Sequence, residues 1–193
     1  MGPGAAGAWS SWQGSALVVG CGGIGQALLA ELERRAPQLT LLGASRQDWR
    51  QGAQERWQGS VHLPLELGDD ASLASLATSL EAWQPLRLVI HTAGILHGPG
   101  LQPEKRLSQV NRQALERSFA VNAFAPLLVA QAVEAALPPD QPFHFASLSA
   151  RVGSIGDNQL GGWYAYRAAK AAQNQLLRTL ALEWCRRRPQ GCV

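Results

Sequence analysis

The stretch "VVGCGGIGQALL", residues 18–29, indicates the class of fold. Its glycines have the spacing G-x-G-x-x-G, after an apolar run typical of a strand and before a helical apolar pattern. Such glycines allow a tight turn, bring backbone N–H groups to a pyrophosphate and let strand and helix pack closely. The helix N-terminus then faces the phosphates. A plain glycine-rich turn is the alternative, but this context favours a dinucleotide site that consists of Gly20, Gly22, Gly23, Ile24 and Gly25.

Short apolar runs alternate with longer helical stretches along the chain. Strands that alternate with helices pair in parallel through right-handed crossovers. The expected fold class is therefore α/β, a doubly wound parallel sheet of the Rossmann type. We expect strands at 16–20, 39–45, 60–66, 86–94 and 143–149, and helices at 23–36, 111–137 and 163–188, with one more helix that begins at Asp69 or Asp70.

Size and composition limit the possible classes of protein. The 193 residues suffice for one domain, so we expect a loose lead-in over residues 1–15 and one dinucleotide-binding domain over 16–193. The net charge is only +3, so we expect that the protein does not bind nucleic acid. No apolar run approaches the roughly 20 residues of a membrane helix, and no signal-peptide pattern is present. The three cysteines show no metal spacing, so we expect a cytoplasmic protein without a metal site.

The residues after the second predicted strand indicate which dinucleotide binds. An NAD site has a carboxylate there, which bonds the ribose 2′-hydroxyl and repels a 2′-phosphate. Here the strand ends in "GASRQD", so Ser45 and Arg46 occupy that place and Asp48 lies two residues further on. An arginine can form paired hydrogen bonds to a phosphate. We therefore expect NADP(H) to be preferred over NAD(H); an exposed arginine on a turn is the alternative.

A tyrosine and a lysine four residues apart form the candidate acid/base pair. Positions four apart share a helix face, so Tyr166 and Lys170 project together. A cation about 4 Å from a phenol contributes on the order of 4 kcal/mol at intermediate dielectric, before desolvation opposes it. We expect Lys170 to lower the pKa of Tyr166 toward neutrality, where the phenol acts as a general acid and base. The alternative is an aromatic, alanine-rich start to a helix.

Asn122 is the candidate for a functional polar group inside a helix. It shares a helix face with Phe119, Ala125 and Val129, where an amide is costly to bury unless it is hydrogen-bonded. Pro126 lies four residues later and has no N–H, so the carbonyl of Asn122 lacks its helical partner. We expect a kink that frees this carbonyl for a water. A polar residue beside an accidental kink is the alternative.

Four motifs in a fixed order resemble the short-chain dehydrogenase/reductase family. They are the glycine turn, "HTAG" at 91–94, "VN" at 121–122 and "YRAAK" at 166–170. The stretch 149–172 is similar to the C-factor-like subgroup, and the whole resemblance covers about residues 16–190. It implies an oxidoreductase that moves hydride between NADPH and a small carbonyl compound or secondary alcohol. A non-catalytic nucleotide-binding or signalling protein, or an inactive shortened form, is the alternative.

The resemblance also implies roles for individual residues. Tyr166 would exchange the proton, Lys170 would bond the nicotinamide ribose, and Ser149 would polarise the substrate oxygen. Ser147 is the second candidate for the serine, and Ala150 occupies a place where some relatives have serine. Asn122 would hold a water in a proton relay. The adenosine side of the cofactor would lie against Glu66, Leu67, Thr92, Ala93 and Gly94.

The chain also departs from the family pattern. The glycine turn is one residue shorter than usual. His91 stands where the family has an asparagine, and we expect His91 to make the structural hydrogen bonds of that asparagine. The family continues into further strands and a substrate loop, so we expect a sheet that lacks its last strands, with 143–149 as an open edge and 191–193 as the start of the next strand. The helices at 111–137 and 163–188 pair between subunits in the family, which implies a homodimer or homotetramer.

Overall fold

A parallel sheet of six strands forms the centre of the molecule in the computed structural model, which describes residues 9–51 and 56–193. The strands lie in the order β3-β2-β1-β4-β5-β6, so the chain winds outward from β1 in one direction and then from β4 in the other. This reversal between β1 and β4 confirms the predicted doubly wound α/β fold. The strands are β1 (Gly14–Val19), β2 (Leu39–Ser45), β3 (Val61–Pro64), β4 (Leu86–His91), β5 (Phe143–Ser147) and β6 (Gly191–Cys192).

Helices cover both faces of the sheet. The helices are α1 (Gly23–Arg35), α2 (Asp70–Ser79), α3 (Arg112–Phe119), α4 (Ala125–Val133) and α5 (Tyr164–Arg187). Successive residues of a strand point to opposite faces. In β1, accordingly, Leu17 belongs to an apolar cluster with α2, α4 and α5, whereas Val18 belongs to a second cluster with α1. The two clusters form a core on each side of the sheet.

The first strand begins earlier than predicted, and the segment before it packs on the sheet. Gly14 is paired with Leu39, so β1 starts within the expected lead-in. The Trp12 ring lies 5.1 Å from the ring of His144, and the Arg87 guanidinium lies 4.4 Å from the Trp12 ring centroid. Residues 1–8 of the predicted lead-in lie outside the described residues.

The end of the chain adds a short strand to the sheet. Residues 191–192 pair in parallel with Phe143 and His144 of β5, which confirms a strand at this place. β6 therefore covers the start of β5, where His144 is paired on both sides, so this part is not the open edge that the sequence predicted. β5 also ends at Ser147, two residues earlier than expected.

The long helix predicted at 111–137 is divided by a wider turn at Asn122. Residues 120–124 form a π-helical turn between α3 and α4, in which the Ala125 N–H donates to the carbonyl of Ala120. The chain accommodates Pro126 in this way because a proline has no N–H to continue the α-helical pattern. The expected irregularity is present as a π-turn, a form that is frequent at functional sites.

The stretch Arg112–Ala136 is apolar and long enough to cross a membrane by composition alone, with a mean hydropathy of 1.5 over 18 residues. The sequence prediction considered continuous apolar runs, whereas an average tolerates interrupting polar residues. Val129, Ala130 and Val133 are fully buried in the core on the sheet. This packing is typical of a core helix.

His91, the last residue of β4, is fully buried without hydrogen bonds from its ring. Neither ring nitrogen has a partner among the described residues. We expected His91 to make the structural hydrogen bonds that the family's asparagine makes, and this expectation is wrong. Burial lowers the pKa of His91 to about 4, and the positive charge of Lys170 acts in the same direction. The folded protein therefore holds this imidazole neutral.

We expect His91 to make the protein less stable in acid. The unfolded chain takes up a proton near the ordinary pKa of 6.5, whereas the folded chain resists protonation down to about pH 4. The free energy of unfolding should fall by up to about 3 kcal/mol as the pH falls through this window. Urea unfolding between pH 4 and 7 measures it.

His91→Asn should flatten this pH dependence. Burial also lowers the pKa of His144, so the contribution of that residue should remain. The matched control is His97→Asn, since His97 is exposed. An unchanged slope in His91→Asn would show that the buried imidazole does not control acid stability.

Candidate active site

The glycine turn between β1 and α1 depends on two close backbone contacts. Gly20 has a φ of +93°, and a Cβ there would lie 2.7 Å from the backbone nitrogen of Ala93. A Cβ on Gly25 would lie 2.1 Å from the carbonyl oxygen of Gly20. A Cβ on Gly22 or Gly23, in contrast, would have open space around it, with no atom of the described residues within 4 Å. The turn is therefore closed toward the sheet and open toward the cleft.

An open cleft of about 950 Å³ lies at the carboxyl ends of β1, β2 and β4. This is the edge of a doubly wound sheet at which ligands bind, next to the reversal of strand order. Its walls include every residue predicted for the cofactor except Tyr166 and Lys170: Gly20, Gly22, Gly23, Ile24, Gly25, Ser45, Arg46, Glu66, Leu67, Thr92, Ala93 and Gly94. The structure thus brings the predicted nucleotide residues together.

The rim of the cleft after β2 carries an exposed cation and a neutralised carboxylate. Arg46 is exposed and makes no salt bridge to the residues that the structure describes. Asp48 is paired with Arg50, whose Nε and Nη2 donate to its two carboxylate oxygens at 2.9 and 2.8 Å. Arg50 also donates to the carbonyl of Ser60. This guanidinium holds the pKa of Asp48 well below its usual range. The carboxylate is therefore ionised, and the positive charge of Arg50 balances its negative charge.

Tyr166 and Lys170 project together from α5, as predicted. The Lys170 Nζ lies 5.8 Å from the centroid of the Tyr166 ring. Lys170 is only 3% exposed, and its ammonium donates to the carbonyl of Leu148 and to Oε1 of Gln173, both at 2.9 Å. Burial lowers the pKa of Lys170 and raises the pKa of Tyr166. The expected lowering of the phenol pKa is therefore not observed, because desolvation dominates and the ammonium bonds to other groups.

Asn122 joins the π-turn to the loop after β4. It is fully buried, its Oδ1 accepts from the Ile95 N–H at 2.9 Å, and its Nδ2 donates to the Ile95 carbonyl at 2.8 Å. A Cβ on Gly94 would lie 3.1 Å from Oδ1 of Asn122 and 3.7 Å from Nζ of Lys170. Gly94 also lines the cleft, so the nucleotide end and the acid/base end meet at this glycine.

Ser149 follows Leu148, whose carbonyl bonds Lys170, but its own hydroxyl bonds a residue further along α5. The Ser149 hydroxyl is exposed and donates to Oδ1 of Asn174 at 2.6 Å. Asn174 lies eight residues after Tyr166 on α5, which is a rise of about 12 Å, and a helical tyrosine leans toward the N-terminus. Ser147 is linked to the pair through Gln173, because its hydroxyl accepts from Nε2 of Gln173 at 2.7 Å, and Gln173 bonds Lys170. Ala150 has no hydroxyl to contribute.

Sequence reasoning missed two residues that position α5. Gln173 is fully buried beside Lys170, although a helical glutamine usually faces solvent. Glu104 is 3% exposed, and its Oε2 accepts from the N–H of Ala165 in the first turn of α5, where a helix favours negative charge. Its carbonyl also accepts from Trp163, which has a left-handed φ of +53°. Glu104 and Ala165 are 61 residues apart in the chain, so no local pattern could indicate the contact.

Two curated proteins resemble part of the chain. C-signal of Myxococcus xanthus is 34% identical over 109 residues, which cover 56% of this chain and 61% of that protein. A 1-hydroxy-2-glutathionyl-2-methyl-3-butene dehydrogenase of Rhodococcus sp. (strain AD45) is 29% identical over 118 residues, which cover 61% of this chain and 49% of that protein. The chain thus spans less than two thirds of the length of these relatives.

A solved structure and a family profile match more of the chain. The carbonyl reductase Sniffer of D. melanogaster is 25% identical with a TM-score of 0.76, and the match covers 92% of this chain and 77% of that one. The profile of the family described as short chain dehydrogenase matches residues 15–188, from the start of the sheet to the end of α5. The chain therefore belongs to the short-chain dehydrogenase family.

Proposed function

We propose that the protein is an NADP(H)-dependent oxidoreductase that moves hydride between the nicotinamide and a small carbonyl compound or secondary alcohol. One observation carries this proposal: Gly94 lines the cleft of the glycine turn, and Lys170 and Asn122 lie against that glycine. A cofactor held by the turn would therefore extend toward the tyrosine–lysine pair of α5. A protein that only bound nucleotide would not require a phenol and an ammonium there.

The residues of the cleft fit a dinucleotide. Gly22 and Gly23 leave open space beside their backbone, and no described side chain caps the start of α1, so its first N–H groups are available to a pyrophosphate. When bound, the cofactor supplies or accepts the hydride. Tyr166 then donates a proton to the carbonyl oxygen in reduction and accepts one in oxidation. Lys170 would bond the ribose, its positive charge would offset part of the burial that raises the pKa of Tyr166, and Asn122 would hold a water for proton exchange.

The charges on the rim of the cleft support a preference for NADP(H). Arg46 is an exposed cation that no described carboxylate pairs with, so it is available to a 2′-phosphate. Asp48 would repel that phosphate, but Arg50 neutralises it with two hydrogen bonds. We infer that Arg50 contributes to the preference indirectly, because it screens the only carboxylate among residues 45–49.

The position of Ser149 favours a second candidate function. Its hydroxyl bonds Asn174, and the next residue, Ala150, has no hydroxyl to replace it at the substrate oxygen. A non-catalytic nucleotide-binding or signalling protein would retain the cleft and lose turnover. The similarity to the relative named C-signal is consistent with this alternative. Binding of NADPH without turnover on any aldehyde or ketone would favour it.

Assembly and location complete the proposal. We propose a cytoplasmic homodimer or homotetramer in which the helical stretches 111–137 and 163–188 pair between subunits. Phe124 in the first stretch and Leu182 in the second are about half exposed, at 51% and 47%, which supports an apolar contact there.

Replacing Tyr166 by phenylalanine tests the acid/base role. We expect turnover of NADPH with an aldehyde or ketone to fall by on the order of 100-fold or more, because the proton donor is lost. NADPH binding should change little, since the ring remains. The matched control is Tyr164→Phe, which removes an exposed phenol two residues earlier. Turnover in Tyr166→Phe at the level of the control would contradict the assignment.

Charge substitutions on the rim test the cofactor preference. Arg46→Asp should reduce the ratio of NADPH to NADH affinity by about tenfold or more, because a charged hydrogen bond is replaced by repulsion. Arg50→Met should reduce the same ratio about threefold or more by exposing the Asp48 charge. Calorimetric titration measures both affinities.

The double variant Asp48→Asn/Arg50→Met separates charge screening from other effects of Arg50. Removing the Asp48 carboxylate should return the ratio of NADPH to NADH affinity, which Arg50→Met lowers, to that of the unmodified protein. A ratio that stays reduced would mean that Arg50 acts through the fold of the rim and not through charge. An unchanged ratio in Arg46→Asp would contradict the preference itself.

A further inference from the structure

A fully buried glutamine lies three residues after Lys170 on α5. Gln173 is 0% exposed, and each end of its amide has a partner. Its Oε1 accepts from the Lys170 ammonium at 2.9 Å. Its Nε2 donates to the Ser147 hydroxyl at 2.7 Å and to the Leu148 carbonyl at 3.2 Å. Such full pairing is the condition under which a polar group is retained in a core.

The partners of Gln173 specify the orientation of its amide. An ammonium can only donate a hydrogen bond, so the oxygen of the amide must face Lys170. The carbonyl of Leu148 can only accept, so the NH₂ group must face β5. Gln173 therefore connects the ammonium with Ser147, where β5 ends, and an apolar side chain of similar size could satisfy neither end.

The ammonium of Lys170 is held by neutral oxygens. Its two acceptors are the Leu148 carbonyl and the Gln173 amide, each at 2.9 Å. Two titratable groups interact with it: His91 on β4, which the burial described above keeps neutral, and Tyr166 on its own helix. On the adjoining segments, Arg151 is paired with Asp157 and Arg117 donates to the carbonyl of Pro99. The charge of Lys170 therefore depends on hydrogen bonds to neutral groups.

We propose that Gln173 is a positioning residue, which keeps Lys170 protonated and holds its ammonium beside Gly94 in the wall of the nucleotide cleft. The proposal rests on the proposed function for the role of Lys170 in the site. Without the Gln173 oxygen, the ammonium keeps one acceptor, so its buried charge becomes less favourable relative to the neutral amine. Tyr166 then loses the neighbouring cation that favours its phenolate.

Titration of Lys170 tests the proposal without substrate or cofactor. The chain has only two lysines, Lys105 and Lys170, so lysine labelled with ¹³C at Cε gives two side-chain signals. The variant Lys105→Arg assigns them. We expect Gln173→Met to move the Lys170 midpoint to lower pH by about one unit or more, the effect of one lost hydrogen bond to a charged group. The matched control is Gln175→Met, which lies on the same helix outside the Lys170 contacts and should leave the midpoint unchanged.

The phenol provides a second measurement. The chain has two tyrosines, so the tyrosinate absorbance of a Tyr164→Phe protein reports Tyr166 alone. In that background Gln173→Met should raise the Tyr166 midpoint, and a purely structural role of the glutamine would not move it in this direction. A Lys170 midpoint equal to that of the control, in a folded Gln173→Met protein, would overturn the proposal.

Ser147→Ala keeps the test decisive if Gln173→Met fails to fold. Losing the hydroxyl removes one acceptor of the Gln173 NH₂ group, so the Lys170 midpoint should move in the same direction by a smaller amount. An unchanged midpoint in Ser147→Ala would then overturn the proposal. These titrations need no turnover, so their failure is distinguishable from loss of the oxidoreductase role, which Tyr166→Phe tests separately.

Discussion

The close approach of three backbone segments at the β1–β4 junction is the constraint on which the site depends. Gly20 packs against Ala93, and Gly25 packs against the carbonyl of Gly20. The Thr92 hydroxyl donates to the same carbonyl at 2.6 Å. Any side chain at these glycines would force strand and helix apart. The contact fixes the start of α1 beside the end of β4, and the cleft exists because these elements meet there.

The second requirement is a buried cation beside Gly94 in the wall of that cleft. Lys170 is carried there by α5, whose first turn is bonded by Glu104 and whose inner face reaches β5 through Gln173. A buried charge is unfavourable unless its hydrogen bonds are satisfied. The ammonium therefore requires the Leu148 carbonyl, which the chain presents just after β5 ends. Sheet, loop and helix are thus coupled at the point where the proposed chemistry takes place.

The sequence predicted the parts of this arrangement that depend on local pattern. Apolar periodicity indicated the alternation of strands and helices, and the spacing of Gly20, Gly22 and Gly25 indicated the turn. Apart from Tyr166 and Lys170, the residues expected around the nucleotide line one cleft, because the ends of parallel strands meet at one edge of the sheet. Pro126 indicated the irregular turn at Asn122 correctly, because a missing N–H is a local property.

The sequence could not predict what depends on contacts between distant segments. The direction of Ser149 is set by Asn174, 25 residues later, and the burial of Gln173 by the end of β5. The helical spacing correctly predicted that Tyr166 and Lys170 lie on one face of α5. It could not predict the pKa of Tyr166, which depends on burial and on the other acceptors that the Lys170 ammonium bonds. The expected role of His91 failed for the same reason, since its described surroundings offer no partner.

The most direct measurement is a titration of this chain with NADPH, followed by tryptophan fluorescence, with NADH as the comparison. Trp49 lines the cleft and reports its occupation. We expect saturable quenching by both nucleotides, at lower concentration for NADPH than for NADH. No change in fluorescence with either nucleotide, from a chain whose circular dichroism shows a folded α/β protein, would contradict the claim that this cleft is a cofactor site.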